Sequence, residues 1–265
     1  SYTLQKAWAL VSAGSTVYLR GGTYKYTKQQ GLTGKSGTAG NLIKVWAYPG
    51  ETPIITRSAT GYTTDIYWHR SGIFFSGNYV HFKGLEITGY KNISGNVEDG
   101  LLAYDANNNI FEQLNIHHNF HGMYIENNSS NNLILNSDFH DNYTDYNGGG
   151  DSDGLGISYN TGANNVVEGS RAWNNGDDGF DTFEAKGLVT IKNSWAWHNG
   201  CRYGTSTPAG NGVGFKLGSN FLQGTSLQNT VVRVLQNTIS ADNRDSGYHI
   251  NEGDHRTQLY NNVSY

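Results

Sequence analysis

The chain has 265 residues, with 35 Gly against only 3 Pro, 1 Cys and 1 Met, and a formal net charge of −4. Charged residues make up 15%, well below the roughly 25% of an average globular chain, and aromatic residues 13%, which argues against disorder. A single cysteine excludes an intramolecular disulfide framework or a cysteine-based zinc cluster, apolar runs are too short to span a membrane, and a mildly acidic chain without basic runs is a poor nucleic-acid binder.

Residues 1–12 form the best amphipathic helix in the chain, with Thr3 placed to cap its N-terminus. Residues 14–59 read as irregular first coils of a repeat that becomes regular further on. Aligning the turn residues Asn119, Asn142, Asn175, Asn199 and Asn243 superposes five segments. Eight positions earlier these segments read Phe111, Ile134, Val167, Ile191 and Leu235; three positions earlier they read Ile116, Phe139, Ala172, Ala196 and Ser240. After each asparagine comes a glycine (Gly122, Gly154, Gly179, Gly214, Gly247) and a further short strand. Each segment therefore reads as two short strands around an Asn/Gly turn. The period is 22 to 25 residues, lengthened where residues 141–150 and 201–211 bulge out.

A repeat this short, with no helix between strands, cannot bury its own apolar face and must stack on its neighbours. The expected fold is an all-β, right-handed parallel β-helix forming one domain over 1–265, with the N-terminal helix plugging the open end. Leu259-Tyr260-Asn261-Asn262-Val263 begins another coil, so further coils or a C-terminal cap are expected beyond Tyr265. No targeting segment precedes Ser1, which reads as a cytoplasmic or already processed chain. The Asn-x-Ser/Thr triplets, such as Asn92-Ile93-Ser94, are expected by chance in so Asn-rich a sequence.

The acids are not spread evenly. Asp151, Asp153, Asp177, Asp178 and Asp181 fall on two adjacent coils. Counted from each coil's glycine, Asp153 and Asp178 occupy the same place, and Asp181 aligns with Lys216 on the next coil. The register thus gathers Asp153, Asp177, Asp178, Asp181 and Lys216 within about 10 Å. Solvated turn aspartates are the bland alternative, but four in register beside a lysine argue against it. Carboxylates this close must protonate or be neutralised, and oxygen donors without His or Cys suit Ca²⁺. An EF-hand does not fit, because Asn160 stands where the twelfth-position acid belongs.

The blocks Gly149-Gly150-Asp151-Ser152-Asp153-Gly154, Trp173-Asn174-Asn175-Gly176-Asp177-Asp178-Gly179-Phe180-Asp181 and Asn211-Gly212-Val213-Gly214-Phe215-Lys216-Leu217-Gly218 resemble the core motifs of polysaccharide lyase family 9. The opening, Leu4-Gln5-Lys6-Ala7 through Val17-Tyr18-Leu19-Arg20-Gly21-Gly22-Thr23-Tyr24, also resembles that family's N-terminal cap and first coil. Members are right-handed parallel β-helices, mostly pectate lyases. The resemblance implies that Asp153, Asp177, Asp178 and Asp181 are Ca²⁺ ligands and that Lys216 is the base of a β-elimination on polygalacturonate. Such a polymeric substrate implies a secreted enzyme, and a monomer is expected.

A nearby Ca²⁺ is expected to lower the Lys216 pKa, with Asp181 opposing the shift unless the metal takes up its charge. His249 and Tyr124, on the ladder position of Lys216, are weaker candidates for lining the cleft; Lys186, Arg202 and Arg244 are weaker candidates for pairing with substrate carboxylates. His117, His118 and His121 suggest a metal site, yet His117, His140, Trp173 and Trp197 share one ladder position, and stacking explains them better. Three alternatives stay open: a lyase for another uronate polymer such as rhamnogalacturonan, a hydrolase using Asp177, Asp178 or Asp181 as an acid/base pair, and a non-catalytic Ca²⁺-binding carbohydrate-binding solenoid.

Overall fold

Each coil runs strand, corner, strand, corner, strand and closes one rung above its start. In the computed structural model, which describes residues 3–59, 62–63, 70–91, 98–218, 224–226, 228–251, 253 and 255–265, these strands build three parallel sheets of nine, nine and eight strands. The triplet at 92–94 and the first two residues of the expected N-terminal helix lie outside the described residues.

The expected ladders are the observed registers. In the first sheet Phe111 pairs with Ile134, Ile134 with Val167, Val167 with Ile191, and Ile191 with Leu235. In the second, Ile116, Phe139, Ala172, Ala196 and Ser240 align in the same way. The strands after each glycine form the third sheet, where Met123, Leu155, Phe180, Phe215 and Tyr248 stack. All but the last are nearly or wholly buried, so the core is a column of like side chains.

The count of strands per coil differs from the sequence reading: there are three, not two. The run from Phe111 to Ile116 is broken at Gln113, whose φ of 53° lies in the left-handed region. Asn136, Gly169, Asn193 and Asn237 turn the same corner on later coils, all with positive φ. Asn tolerates this conformation through local side-chain bonding, which hides the corner inside an apolar pattern. Residues 14–59 also differ from expectation, since Thr16–Leu19 and Gly22–Tyr26 pair in register with the next coil as regular first rungs.

The turn asparagines form the internal ladder the sequence suggests. Each side-chain oxygen accepts from the backbone N–H and the side-chain amide one coil back, from Asn119–Asn142 at 3.1 and 3.3 Å to Asn199–Asn243 at 3.1 and 2.8 Å. These buried amides satisfy backbone groups at a bend where the sheet ladder stops. A second ladder, Asn109–Asn132–Asn165, does the same at another corner. His117, His140, Trp173 and Trp197 stack face to face with centroids 4.8, 4.2 and 4.8 Å apart, as their shared ladder position predicts.

The helix spans Leu4–Leu10, and Thr3 Oγ1 accepts from Lys6 N at 3.2 Å. Leu4 and Trp8 are buried, and the Trp8 ring meets Phe75 edge-on at 6.0 Å. The helix therefore covers the N-terminal end of the core, which is the plug expected of it.

Candidate active site

The third sheet carries the acids. Asp181 in Phe180–Asp181 pairs with Lys216 in Phe215–Lys216, and Lys216 pairs with His249 in Tyr248–His249. Strand alternation sends Phe180 and Phe215 inward and Asp181 and Lys216 to the opposite face. Asp153 and Asp178 sit one position before their coils' glycines, and Asp178 N donates to Asp153 Oδ1 at 2.9 Å. The glycines permit this closeness: a Cβ at Gly154 would stand 2.6 Å from the Gly179 carbonyl oxygen.

Carboxylate oxygens of Asp153, Asp178 and Asp181 lie within 4.8 Å of one another, and all three residues are buried. Lys216 Nζ lies 2.9 Å from Asp178 Oδ2 and 3.4 Å from Asp181 Oδ2. Asp177 is buried alongside but stands outside this group of three. Its carboxylate accepts from Asp151 N at 2.8 Å and from Asn211 N, so it ties the two long loops to the cluster.

Burial makes the cluster's charges expensive. It raises the Asp153 pKa to about 7, with Asp177 and Asp181 adding to the shift. Burial, Asp177 and Asp153 push Asp178 well above the carboxylate range, and burial raises Asp181 against the pull of Lys216. Burial alone would lower the Lys216 pKa, but Asp181, Asp178 and Asp153 outweigh it and hold the ammonium above the usual lysine range. Without a cation, then, Lys216 is a counter-ion to the aspartates, which is the opposing effect the register suggested.

The weaker candidates divide. His249 and Arg244 line a hollow of about 270 Å³ with Lys216, Asn211, Val213, Asp245 and Asn251. Arg244 already donates through Nη2 to the carbonyls of Gly210 and Asn211, 2.6 Å each, and so fastens the base of the 201–211 loop. Arg202 pairs with Asp145 at 2.9 Å and lines a separate hollow with Cys201, Tyr203 and His198, so it is not brought to Lys216. Lys186 is exposed and does not line the Lys216 hollow. Tyr124 keeps the expected row but is buried, with its hydroxyl donating to Asp153 Oδ2, so its ring is no platform for a sugar.

One pair escaped the sequence reading. Asp99 and His121 occupy the same pre-glycine position as Asp153 and Asp178, and His121 Nδ1 donates to Asp99 Oδ1 at 2.6 Å. Carrying the glycine count one coil back, to Gly100, would have found them.

Fold and site together define a class: a parallel β-helix with a buried aspartate cluster and an ion-paired lysine on one sheet. The chain belongs to the Pel9A-like family, whose profile, described as a Pel9A-like right-handed β-helix region, matches residues 1–265. It is 35% identical over 271 residues to pectate lyase L of Dickeya chrysanthemi, covering 98% of this chain and 59% of that protein. It is 34% identical to pectate lyase L of Paenibacillus polymyxa, covering 99% and 58%. The crystal structure of pectate lyase Pel9A superposes with a TM-score of 0.82 at 33% identity, covering 99% of this chain and 64% of that one. A rhamnogalacturonan lyase superposes at 0.75 with 29% identity, covering 91% and 64%. The chain thus spans 59% or less of the length of these curated relatives. The match to Pel9A makes the β-helix right-handed.

Proposed function

We propose that the chain is the catalytic unit of a secreted Ca²⁺-dependent lyase that cleaves polygalacturonate by β-elimination. The observation that carries this reading is the strand-paired Asp181 and Lys216 beside the buried carboxylates of Asp153 and Asp178. The names of its relatives, pectate lyases from two bacterial genera, support the substrate class.

The cluster suits calcium on chemical grounds. It offers carboxylate oxygens alone, and Asp178 Oδ2 is buried and held by the Lys216 ammonium at 2.9 Å, a cation's place beside two further carboxylates. Asp153, Asp178 and Asp181 would hold the ion, with Asp177 joining if its carboxylate turns from the loop amides. When bound, calcium neutralises the aspartates, draws a uronate carboxylate to an acidic protein and acidifies the sugar's C5 proton.

Lys216 then acts as the base. With the charge of Asp178 and Asp181 taken up by a bound cation, Lys216 would lose the partners that hold its proton and would serve as a free amine. It takes the C5 proton, the C5–H electrons form the C4–C5 double bond, and the C4–O bond breaks. The leaving oxygen takes a proton from solvent, Lys216 later gives the C5 proton back to solvent, and no water is consumed. His249, one rung on, and Arg244 border the same hollow and contact the sugar on the C-terminal side of Lys216.

A second reading, a lyase for rhamnogalacturonan, is favoured by one observation, the 0.75 TM-score to a rhamnogalacturonan lyase. Parallel assays on the two polymers separate them. Unsaturated product from polygalacturonate alone supports the first reading, and product from rhamnogalacturonan alone replaces it.

A further inference from the structure

The ladder row that contains Lys216 runs Phe74, Leu102, Tyr124, Gly156, Asp181, Lys216 and His249. Gly156 leaves one place in this row without a side chain, and Tyr124 leans across it. A Cβ at Gly156 would stand 2.5 Å from Tyr124 Cε1. The tyrosine hydroxyl thereby reaches the next coil and donates to Asp153 Oδ2, while Asp178 N holds Asp153 Oδ1 at 2.9 Å. Both oxygens of Asp153 are fixed, and with them the plane of its carboxylate.

The ring is braced from behind. His121 packs against it with centroids 4.5 Å apart, and Asp99 holds His121 through Nδ1. Tyr159 lies nearly parallel to it, with centroids 6.4 Å apart. Tyr124 is only 4% exposed, so it does not reach a polysaccharide in the cleft.

We propose that Tyr124 is a positioning residue for the cation site: its hydroxyl, passed through the vacancy at Gly156, sets the Asp153 carboxylate for metal binding. The inference rests on the reading of Asp153, Asp178 and Asp181 as a calcium site. A hydrogen bond to a charged group contributes enough that its loss weakens binding roughly 10-fold or more.

Calorimetric titration of the metal-free protein with CaCl₂ tests it, together with melting in chelator. Tyr124→Phe is expected to bind calcium roughly 10-fold more weakly than wild type, while its melting temperature in chelator falls by only a few degrees, as for any lost buried hydrogen bond. Gly156→Ala keeps the hydroxyl but displaces the ring, and is expected to lose affinity likewise. Wild-type affinity in Tyr124→Phe overturns the inference, and so does a lower melting temperature in chelator with affinity intact, which marks a structural role only. If wild type itself binds no calcium, the reading of the cluster falls, and the inference with it.

Discussion

Asp181 and Lys216 are direct partners across one rung of the third sheet, and the lysine ammonium lies 3.4 Å from the aspartate it pairs with. In the absence of a cation this contact keeps the proton on Lys216. The proposed base and the carboxylates that hold its proton are thus neighbours on one ladder, and neutralising Asp181 and Asp178 would release the amine.

Replacing Lys216 separates these roles. Lys216→Ala is expected to lower lyase turnover by about 10³-fold, within the range for loss of a general base. The same change removes a positive charge from the aspartates, so calcium should bind more tightly than to wild type. Steady-state kinetics and calorimetry on one preparation check both. Weaker calcium binding in the variant would contradict the competition between lysine and metal.

The cluster also sets a pH dependence. Asp153 titrates at about 7 in the fold, and Asp178 and Asp181 are raised too, against about 3.9 in the unfolded chain. A carboxyl raised by folding costs nothing while both states hold the proton, and costs progressively more once the unfolded state has lost it. The metal-free protein should therefore lose stability as pH rises from about 4 through about 7. Lys216, raised above its usual value, contributes a constant stabilisation over that window. Melting curves in chelator should fall across this range, and calcium should flatten them.

Arg233 is wholly buried and binds no carboxylate among the described residues. Its guanidinium donates to Thr182 Oγ1 and to the carbonyls of Thr182, Ala185, Gly187 and Val232, at 2.8 to 3.0 Å. Burial lowers its pKa to about 10, which leaves it charged at neutral pH. Arg233→Met should strand several of these acceptors and cost on the order of 3 kcal/mol, read as a lower midpoint in denaturant.

Asn142 tests the turn ladder. Its oxygen accepts from Asn119 N at 3.1 Å, and its amide donates to Asn175 Oδ1 at 2.9 Å. Asn142→Ala should cost about 2 kcal/mol through the buried groups it leaves unpaired. The same denaturant curves check it.

Much of this was legible because a solenoid turns sequence spacing into spatial contact. Counting from Gly154, Gly179 and Gly214 aligns Asp153 with Asp178 and Asp181 with Lys216, and no long-range folding has to be guessed. The third strand of each coil was not legible, because Gln113 and Asn136 turn a corner by backbone conformation without interrupting the apolar pattern. Spacing also says nothing about where loop side chains point. Arg202 is drawn away to Asp145, and Asp177 is taken by the amides of Asp151 and Asn211. Tyr124 was placed on the right row, but its burial depends on Gly156, whose missing side chain lets the ring lie down.

The most direct measurement follows absorbance of the 4,5-unsaturated product as the protein acts on polygalacturonate at alkaline pH, first in chelator and then after calcium is restored. The expected result is no signal in chelator, a steady rise with calcium, and one new reducing end per double bond formed. Reducing ends without unsaturation, or an equal rate in chelator, would contradict it and turn attention to hydrolysis by the aspartates.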